Sequence, residues 1–348
     1  MTDTTEPRVS LRFTNPFART PCAPLDTADR ALLELGHALK GLGYCFTTIT
    51  PASHARVIAR PSSETLSLTD IFGWSRRFRS GQLDSQLAKL ASRAEVLELR
   101  SGWLKSSVRF STLGNQLYAH SAYPTHQADA VFFGPDTYRF ARLISSAIAG
   151  MQFRCAERLR ILDVGAGSGA GGLHAAALAS RTSSAVTLTD VNPRALRCCR
   201  INAALNGIDN VHVVESDLFA NISGSYDLII ANPPYLVDPR GRTYRHGGGH
   251  LGSDLSVRFV EAGISRLARG GRLVLYTGSA IVDGRDYLRE TLSSLLRGRV
   301  LRMSYEEIDP DVFGEELDHP PYDRADRIAV VGVIIDLPEG DENAPGTR

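Results

Sequence analysis

Asn232-Pro233-Pro234-Tyr235 closes an apolar run, Leu228 to Ala231, and lies downstream of a glycine-rich stretch. Two consecutive prolines have no N–H to give a sheet and both fix φ, so the chain must leave a strand here as a rigid, extended turn. In such a turn the side-chain carbonyl of Asn232 and the backbone carbonyl of Pro233 can converge on one point, with Pro234 stiffening the exit. Two acceptors at one point suit an –NH2 group, and Tyr235 offers a flat ring to stack on a planar target. The chemistry this suggests is work on a planar amide or amino nitrogen. Such a nitrogen is a poor nucleophile because its lone pair is delocalised. Acceptors that hold both N–H bonds draw it towards tetrahedral geometry, which is catalysis by orientation and by charge placed for the transition state. No strong base is required, since the nitrogen can lose its proton after attack. Asn and Pro are also ordinary turn formers, so context must decide what the turn is for.

That context is Ile161-Leu162-Asp163-Val164-Gly165-Ala166-Gly167-Ser168-Gly169-Ala170-Gly171, which reads as a strand, a glycine-rich turn and a helix start. Gly165, Gly167 and Gly169 let the backbone turn sharply and let a nucleotide approach without a Cβ in the way. Asp163 ends the strand beneath them. Asp190 ends the next strand, about 20 residues on, where a carboxylate reaches the two hydroxyls of a ribose. Asp217, after a third strand, is placed to accept a hydrogen bond from an adenine amino group. The spacing Gly165-x-Gly167-x-x-Ala170 also satisfies a dinucleotide fingerprint, so NAD is the competing cofactor. Hydride transfer would need neither Asp217 nor the paired acceptors at Asn232, and both count against it.

The elements that must position these residues alternate. Strands are expected at Arg160–Val164, Ala185–Asp190, Val211–Glu215, Asp227–Ala231 and Arg272–Thr277, separated by helix-length segments. That alternation is the signature of a doubly wound, mostly parallel α/β sheet. Val300–Tyr305 and Ile328–Asp336 would complete seven strands as an antiparallel edge pair. Before this region the pattern differs. A helix is expected over Asp29–Leu42, capped by Asp29, and another over Asp84–Ser92. Alternating runs at Val96–Leu99, Val108–Ser111 and Gln116–His120, separated by Ser101-Gly102 and Leu113-Gly114-Asn115, predict a small antiparallel meander. Together they suggest a smaller α+β, winged-helix-like domain. The expected organisation is a tail over 1–25, a recognition domain over 26–127, an α/β domain over 128–337 and a tail over 338–348.

At 348 residues the chain is long enough for two domains. Its net charge of +1 gives no global pull towards nucleic acid or membrane. Five cysteines without a C-x-x-C, including the adjacent Cys198 and Cys199, fit reduced thiols in a cytoplasm, not a disulfide framework. The polar start, Met1 to Ser10, is not a signal peptide, and the apolar run Ile328–Ile335 is too short to cross a bilayer. Arg240, Arg242, Tyr244, Arg245, His246 and Gly247-Gly248-Gly249 form a basic loop after the turn, which suits a substrate-gripping lid. His246 and His250 are spaced like metal ligands on a helix, but the glycines between them disfavour a helix and no third ligand is evident, so no metal is expected. Trp74, Arg76, Arg77, Phe78 and Arg79 mix cations with aromatics. An amphipathic surface helix is favoured there over nucleic-acid contact.

In Asp163–Gly169, Asp190, Asp217 and Asn232–Tyr235 the chain resembles class I S-adenosylmethionine-dependent methyltransferases of the Asn-Pro-Pro-Tyr branch. That branch includes the HemK/PrmC-type protein-glutamine methyltransferases and adenine- and guanine-amino methyltransferases acting on RNA or DNA. The resemblance covers about residues 128 to 336. Phe133-Gly134-Pro135-Asp136-Thr137 is similar to the Pro-Arg-Pro-Glu-Thr segment of the HemK-type enzymes, with Asp136 after Pro135. The region before residue 125 does not resemble the helical bundle with which those enzymes grip release factors. The resemblance implies S-adenosylmethionine as cofactor, and a protein glutamine, such as one on a translation factor, as the favoured methyl acceptor. The alternative acceptor is a nucleic-acid base amine. A cofactor-binding regulator without turnover is the reading from another class, and full retention of Asn232 to Tyr235 argues against it.

Overall fold

Leu228 to Ala231 are fully buried because β-strands flank them and helices cover both faces. A computed structural model describes residues 24–61, 65–151, 158–179, 184–238, 244–249 and 251–339. Most of both expected tails lies outside these ranges.

Four helices come first: α1 (Thr27–Gly41), α2 (Pro51–Ile58), α3 (Leu68–Phe72) and α4 (Ser85–Arg93). The N-cap of α1 is Asp26, whose carboxylate accepts from the Asp29 N–H at 2.7 Å. Asp29, the expected cap, sits in the first turn instead and pairs with Arg197. Two hairpins follow, β1 (Leu97–Arg100) with β2 (Trp103–Ser106), and β3 (Val108–Leu113) with β4 (Gln116–Ser121). They form separate two-stranded sheets, not the single meander expected. The Ser106 hydroxyl bonds both the N–H and the C=O of Val108, turning the chain between them. Trp74–Arg79 is extended, not helical: Gly73 ends α3, Ser75 has φ +56°, and Phe78 exchanges backbone hydrogen bonds with Leu104.

The remaining elements are α5 (Pro135–Ala149), β5 (Leu159–Val164), α6 (Ala170–Leu178), β6 (Ser184–Asp190), α7 (Pro193–Leu205), β7 (Val211–Glu215), β8 (Tyr226–Ala231), α8 (Asp254–Gly263), β9 (Leu267–Val282), β10 (Arg285–Asp286), α9 (Tyr287–Leu296), β11 (Arg302–Asp309) and β12 (Arg327–Asp336). The sheet order is β11-β12-β9-β8-β5-β6-β7, with the two-residue β10 pairing off the path to β9. Five central strands are parallel, and β12 and β11 form the expected antiparallel edge. Successive side chains of a strand point to opposite faces. Leu228 and Ile230 accordingly join a core with Phe140 and Ile144 of α5 and Leu173 of α6, while Ile229 and Ala231 join Phe259 of α8 and Leu288 of α9. The parallel strands run in one direction, so the chain segments after β5, β6, β7 and β8 emerge at one edge, where ligands bind in doubly wound sheets.

A third core holds α1, α4 and both hairpins, and it includes Ile201 and Leu205 of α7. Buried Asn202, also on α7, accepts from the Ala119 N–H and donates to the carbonyls of Ala119 and Ser168. One carboxamide thus ties β4 to the glycine-rich turn.

Candidate active site

At the end of β5, Gly165, Gly167 and Gly169 have φ of +69°, +56° and +79°, values L side chains rarely adopt. A Cβ on Gly165 or Gly167 would meet open space, so these two leave room for a ligand against the backbone. Gly169 differs: it precedes α6 and packs against Leu188, Leu173 and Cys199, so its place is structural. The turn is held from the next strand. Asp190 accepts from the Gly167 N–H at 2.9 Å through one oxygen and from the Asn192 N–H at 2.9 Å through the other. Burial raises the Asp190 pKa and these N–H groups oppose the rise. Asp163 lies deeper, accepting from the Gly172 N–H at 2.7 Å, and burial pushes its pKa up to about 7. Asp217 stands at the rim, its side chain 69% exposed and 3.9 Å from Arg258.

β8 delivers Asn232 to the same edge. Its carboxamide is half-buried, and among the described residues nothing hydrogen-bonds it. The turn beyond is braced: the Leu236 N–H reaches Arg245 O, the Gly247 N–H reaches Leu236 O, and the Val237 N–H reaches the Tyr322 hydroxyl. Tyr235 has a different place from that expected of a stacking ring. Only 8% exposed, it packs over Gly278, where a Cβ would come within 2.3 Å of the ring. Its hydroxyl donates to Asp136 at 3.0 Å, and the Tyr276 hydroxyl donates to the other Asp136 oxygen at 2.8 Å. Burial, then the charge of Asp136, pushes both hydroxyl pKa values up, so both stay protonated donors. Arg139 completes the group, pairing with Asp136 at 3.2 Å and Asp309 at 2.8 Å.

One cavity of about 1030 Å³ joins these groups, at the upper end of the range for small-molecule sites. Asp163, Gly165, Gly167, Asp190, Asp217 and Asn232 through Tyr235 all line it, and Gly169 does not. Asp309, Asp311, Glu315 and Glu316 line it too, Asp309 paired with Arg139 and Glu316 with Arg245. Phe132 and Tyr244, with parallel rings 6.0 Å apart, stand at another side, and the Tyr244 hydroxyl donates to Thr125 O at 2.8 Å. Of the basic loop, Arg245 is engaged by Glu316 and His246 accepts from the Asp238 N–H. Arg240, Arg242 and His250 lie outside the described residues. Among the described residues no group of three side chains could hold a metal ion, and no helix is long and apolar enough to cross a membrane.

The buried carboxylate of Asp136 was the functional feature missed from sequence. Its segment is visible there, but its partners are 99 and 140 residues away.

Residues 145–295 match the methyltransferase small domain family. A release factor glutamine methyltransferase of Deinococcus radiodurans is 36% identical over 47% of this chain and 58% of its own length. A Methanocaldococcus jannaschii protein, assigned provisionally as a protein N5-glutamine methyltransferase, is 32% identical over 39% of this chain and 67% of its own. A ribosomal RNA small subunit methyltransferase C of Salmonella arizonae is 33% identical over 33% and 30%. The chain therefore spans little more than half the length of the Deinococcus relative.

Proposed function

Since the chain belongs to the methyltransferase small domain family, we propose that it is an S-adenosylmethionine-dependent enzyme that methylates a planar amide or amino nitrogen, a protein glutamine being the favoured acceptor. Membership sets aside the dinucleotide reading of the glycine pattern. The observation that carries the proposal is the unpaired Asn232 carboxamide, facing the same cavity as the open backbone of Gly165 and Gly167.

The cavity fits the cofactor on its own features. Gly165 and Gly167 leave space for a ligand against their backbone, Asp190 offers oxygens to ribose hydroxyls, and exposed Asp217, 3.9 Å from Arg258, offers a carboxylate to an adenine amine. When bound, S-adenosylmethionine supplies a methyl group activated by its sulfonium. Asn232 Oδ1 and the Pro233 carbonyl accept the two N–H bonds of the acceptor, turn its lone pair towards the methyl and stabilise the positive charge that builds on nitrogen. The two prolines hold those oxygens without rearrangement, and Tyr235, tied to Asp136, holds the prolines.

The glutamine reading is supported by the names of two relatives. A base amine is the second reading, supported by the ribosomal RNA relative. We assign acceptor recognition to residues 26–127 and transfer to 128–337, acting in the cytoplasm. Tritiated S-adenosylmethionine in extract from a strain lacking this gene tests the reading. Label lost to protease but not nuclease supports a protein acceptor, and the reverse supports the base amine. Asn232→Ala should bind S-adenosylhomocysteine normally while turnover falls at least ~100-fold; near-normal turnover would remove Asn232 from catalysis.

A further inference from the structure

The segment expected to be a surface helix, Trp74–Arg79, runs beside the β1–β2 ribbon and joins it by one backbone bridge. Phe78 pairs with Leu104 of β2, whose other neighbour is β1. Ser101 and Gly102 close the β1–β2 hairpin at φ +51° and +76°. In the β1–β2 register, Arg100 faces Trp103 and Glu98 faces Lys105. Because side chains alternate along a strand, Trp103 and Lys105 share one face of β2 and Leu104 points to the other. Phe78, opposite Leu104, is buried in the core, so Arg77 and Arg79 on either side of it turn to the outer face. That face therefore carries Arg77, Arg79, Arg100 and Lys105 against the single carboxylate Glu98.

The arrangement is observed and not only inferred from register. The Arg79 guanidinium lies 3.9 Å over the Trp103 ring and donates to Gly102 O at 2.9 Å. Trp103 is 36% exposed, and Arg100, 3.6 Å from Glu98, is 78% exposed. Arg77 is exposed and has no partner among the described residues. Lys105 shows the cations to be crowded: burial lowers its pKa, Glu98 opposes this, and Arg77, Arg100 and Arg109 lower it further. In a chain with a net charge of only +1, four cations against one carboxylate make this face locally basic. The face also borders the cavity, because the Lys105 ammonium donates to the carbonyl of Tyr123, a cavity-lining residue, at 2.6 Å.

We propose that this ribbon face docks single-stranded nucleic acid, phosphates on Arg77, Arg79, Arg100 and Lys105 and a base on the Arg79–Trp103 stack. Cations that follow a backbone, with an aromatic platform for bases, are what single-strand recognition requires. The inference goes beyond the transfer reading and does not depend on which nitrogen accepts the methyl.

The test is fluorescence anisotropy of the full chain with labelled oligouridylate and oligothymidylate of roughly 20 nucleotides. Between about 50 and 200 mM salt, log affinity should fall with log salt at a slope near −2 to −3, for three or four phosphates. Arg79→Glu with Arg100→Glu should weaken binding about tenfold or more, and Trp103→Ala about 5- to 100-fold. Arg299→Glu, on exposed surface far along the chain, should leave it unchanged. S-adenosylhomocysteine affinity, unchanged in every variant, verifies folding and keeps failure here distinct from failure of the transfer reading. Preference for one oligonucleotide names RNA or DNA as the source, and either supports the proposal. No binding at low salt, binding indifferent to the ribbon variants, or equal displacement by poly-glutamate would overturn it.

Discussion

Replacing Tyr235 by Phe removes one oxygen atom and leaves the ring, so it separates two roles that a larger change would merge. If Tyr235 served by stacking its face on the acceptor, the variant would keep both stability and turnover. The structure instead gives the hydroxyl a buried carboxylate, Asp136, at 3.0 Å. A hydrogen bond to a charged group contributes about 1.5–3 kcal/mol. Asp136 would keep the Tyr276 hydroxyl and Arg139, so it is not left as an unpaired buried charge, and the loss should fall near ~2 kcal/mol. Tyr276→Phe removes the matching bond and should cost a similar amount. The double variant leaves Asp136 with Arg139 alone, so its loss should exceed the sum of the two singles by roughly 0.5 kcal/mol or more, as expected for groups sharing one partner. Urea midpoints at constant slope give these values. Turnover should fall several-fold in Tyr235→Phe with S-adenosylhomocysteine affinity intact, because the Asn232–Tyr235 turn loses its tether to the start of α5. A Tyr235→Phe protein within about 0.5 kcal/mol of wild type, with full activity, would refute the tether.

Asp190→Ala removes the carboxylate that accepts from the Gly167 N–H of the glycine-rich turn and should weaken S-adenosylhomocysteine at least tenfold by calorimetry, on the order of the loss of a charged hydrogen-bond partner; unchanged affinity would remove Asp190 from the site. Gly278→Ala places a Cβ against the Tyr235 ring and should cost about 1–3 kcal/mol together with turnover; a neutral result would mean the ring has room to move. Asp163 has its pKa raised from 3.8 to about 7, so its contribution to stability is full below the unfolded value and is lost as pH rises through 7. At about 1.4 kcal/mol per unit that loss approaches roughly 4 kcal/mol. Asp163→Asn, whose amide oxygen can still accept from Gly172, should therefore flatten the decline in melting temperature between about pH 4 and pH 7, and parallel profiles would exclude the effect.

What sequence made legible was whatever depends on order along the chain. Asn232, Asp190, Asp217, Gly165 and Gly167 follow successive strands, and a doubly wound sheet brings such strand ends to one edge, so spacing alone could gather them. What it hid depends on distant contacts. Tyr235 read as a free ring because nothing nearby announces Asp136, 99 residues away. Trp74–Arg79 read as a helix face because local composition outweighs, on paper, one bridge to Leu104. Asp29 fits the cap pattern by residue type, but the Asp26 carboxylate takes the Asp29 N–H, and Asp29 turns to Arg197 instead. Trp103–Ser106 went unrecognised as a strand since its outward side chains break the apolar alternation.

Helix α7 belongs to two cores at once, and Asn202 on it grips Ser168 with the same amide that holds Ala119. A fragment trimmed to begin after residue 127 would therefore not be a minimal catalyst. It would present Ile201 and Leu205 to water and strip Asn202 of its β4 contacts beside the nucleotide turn. Any foreign domain grafted in place of residues 26–127 would have to carry a matching surface for α7, or the chimera would leave the nucleotide turn without its brace.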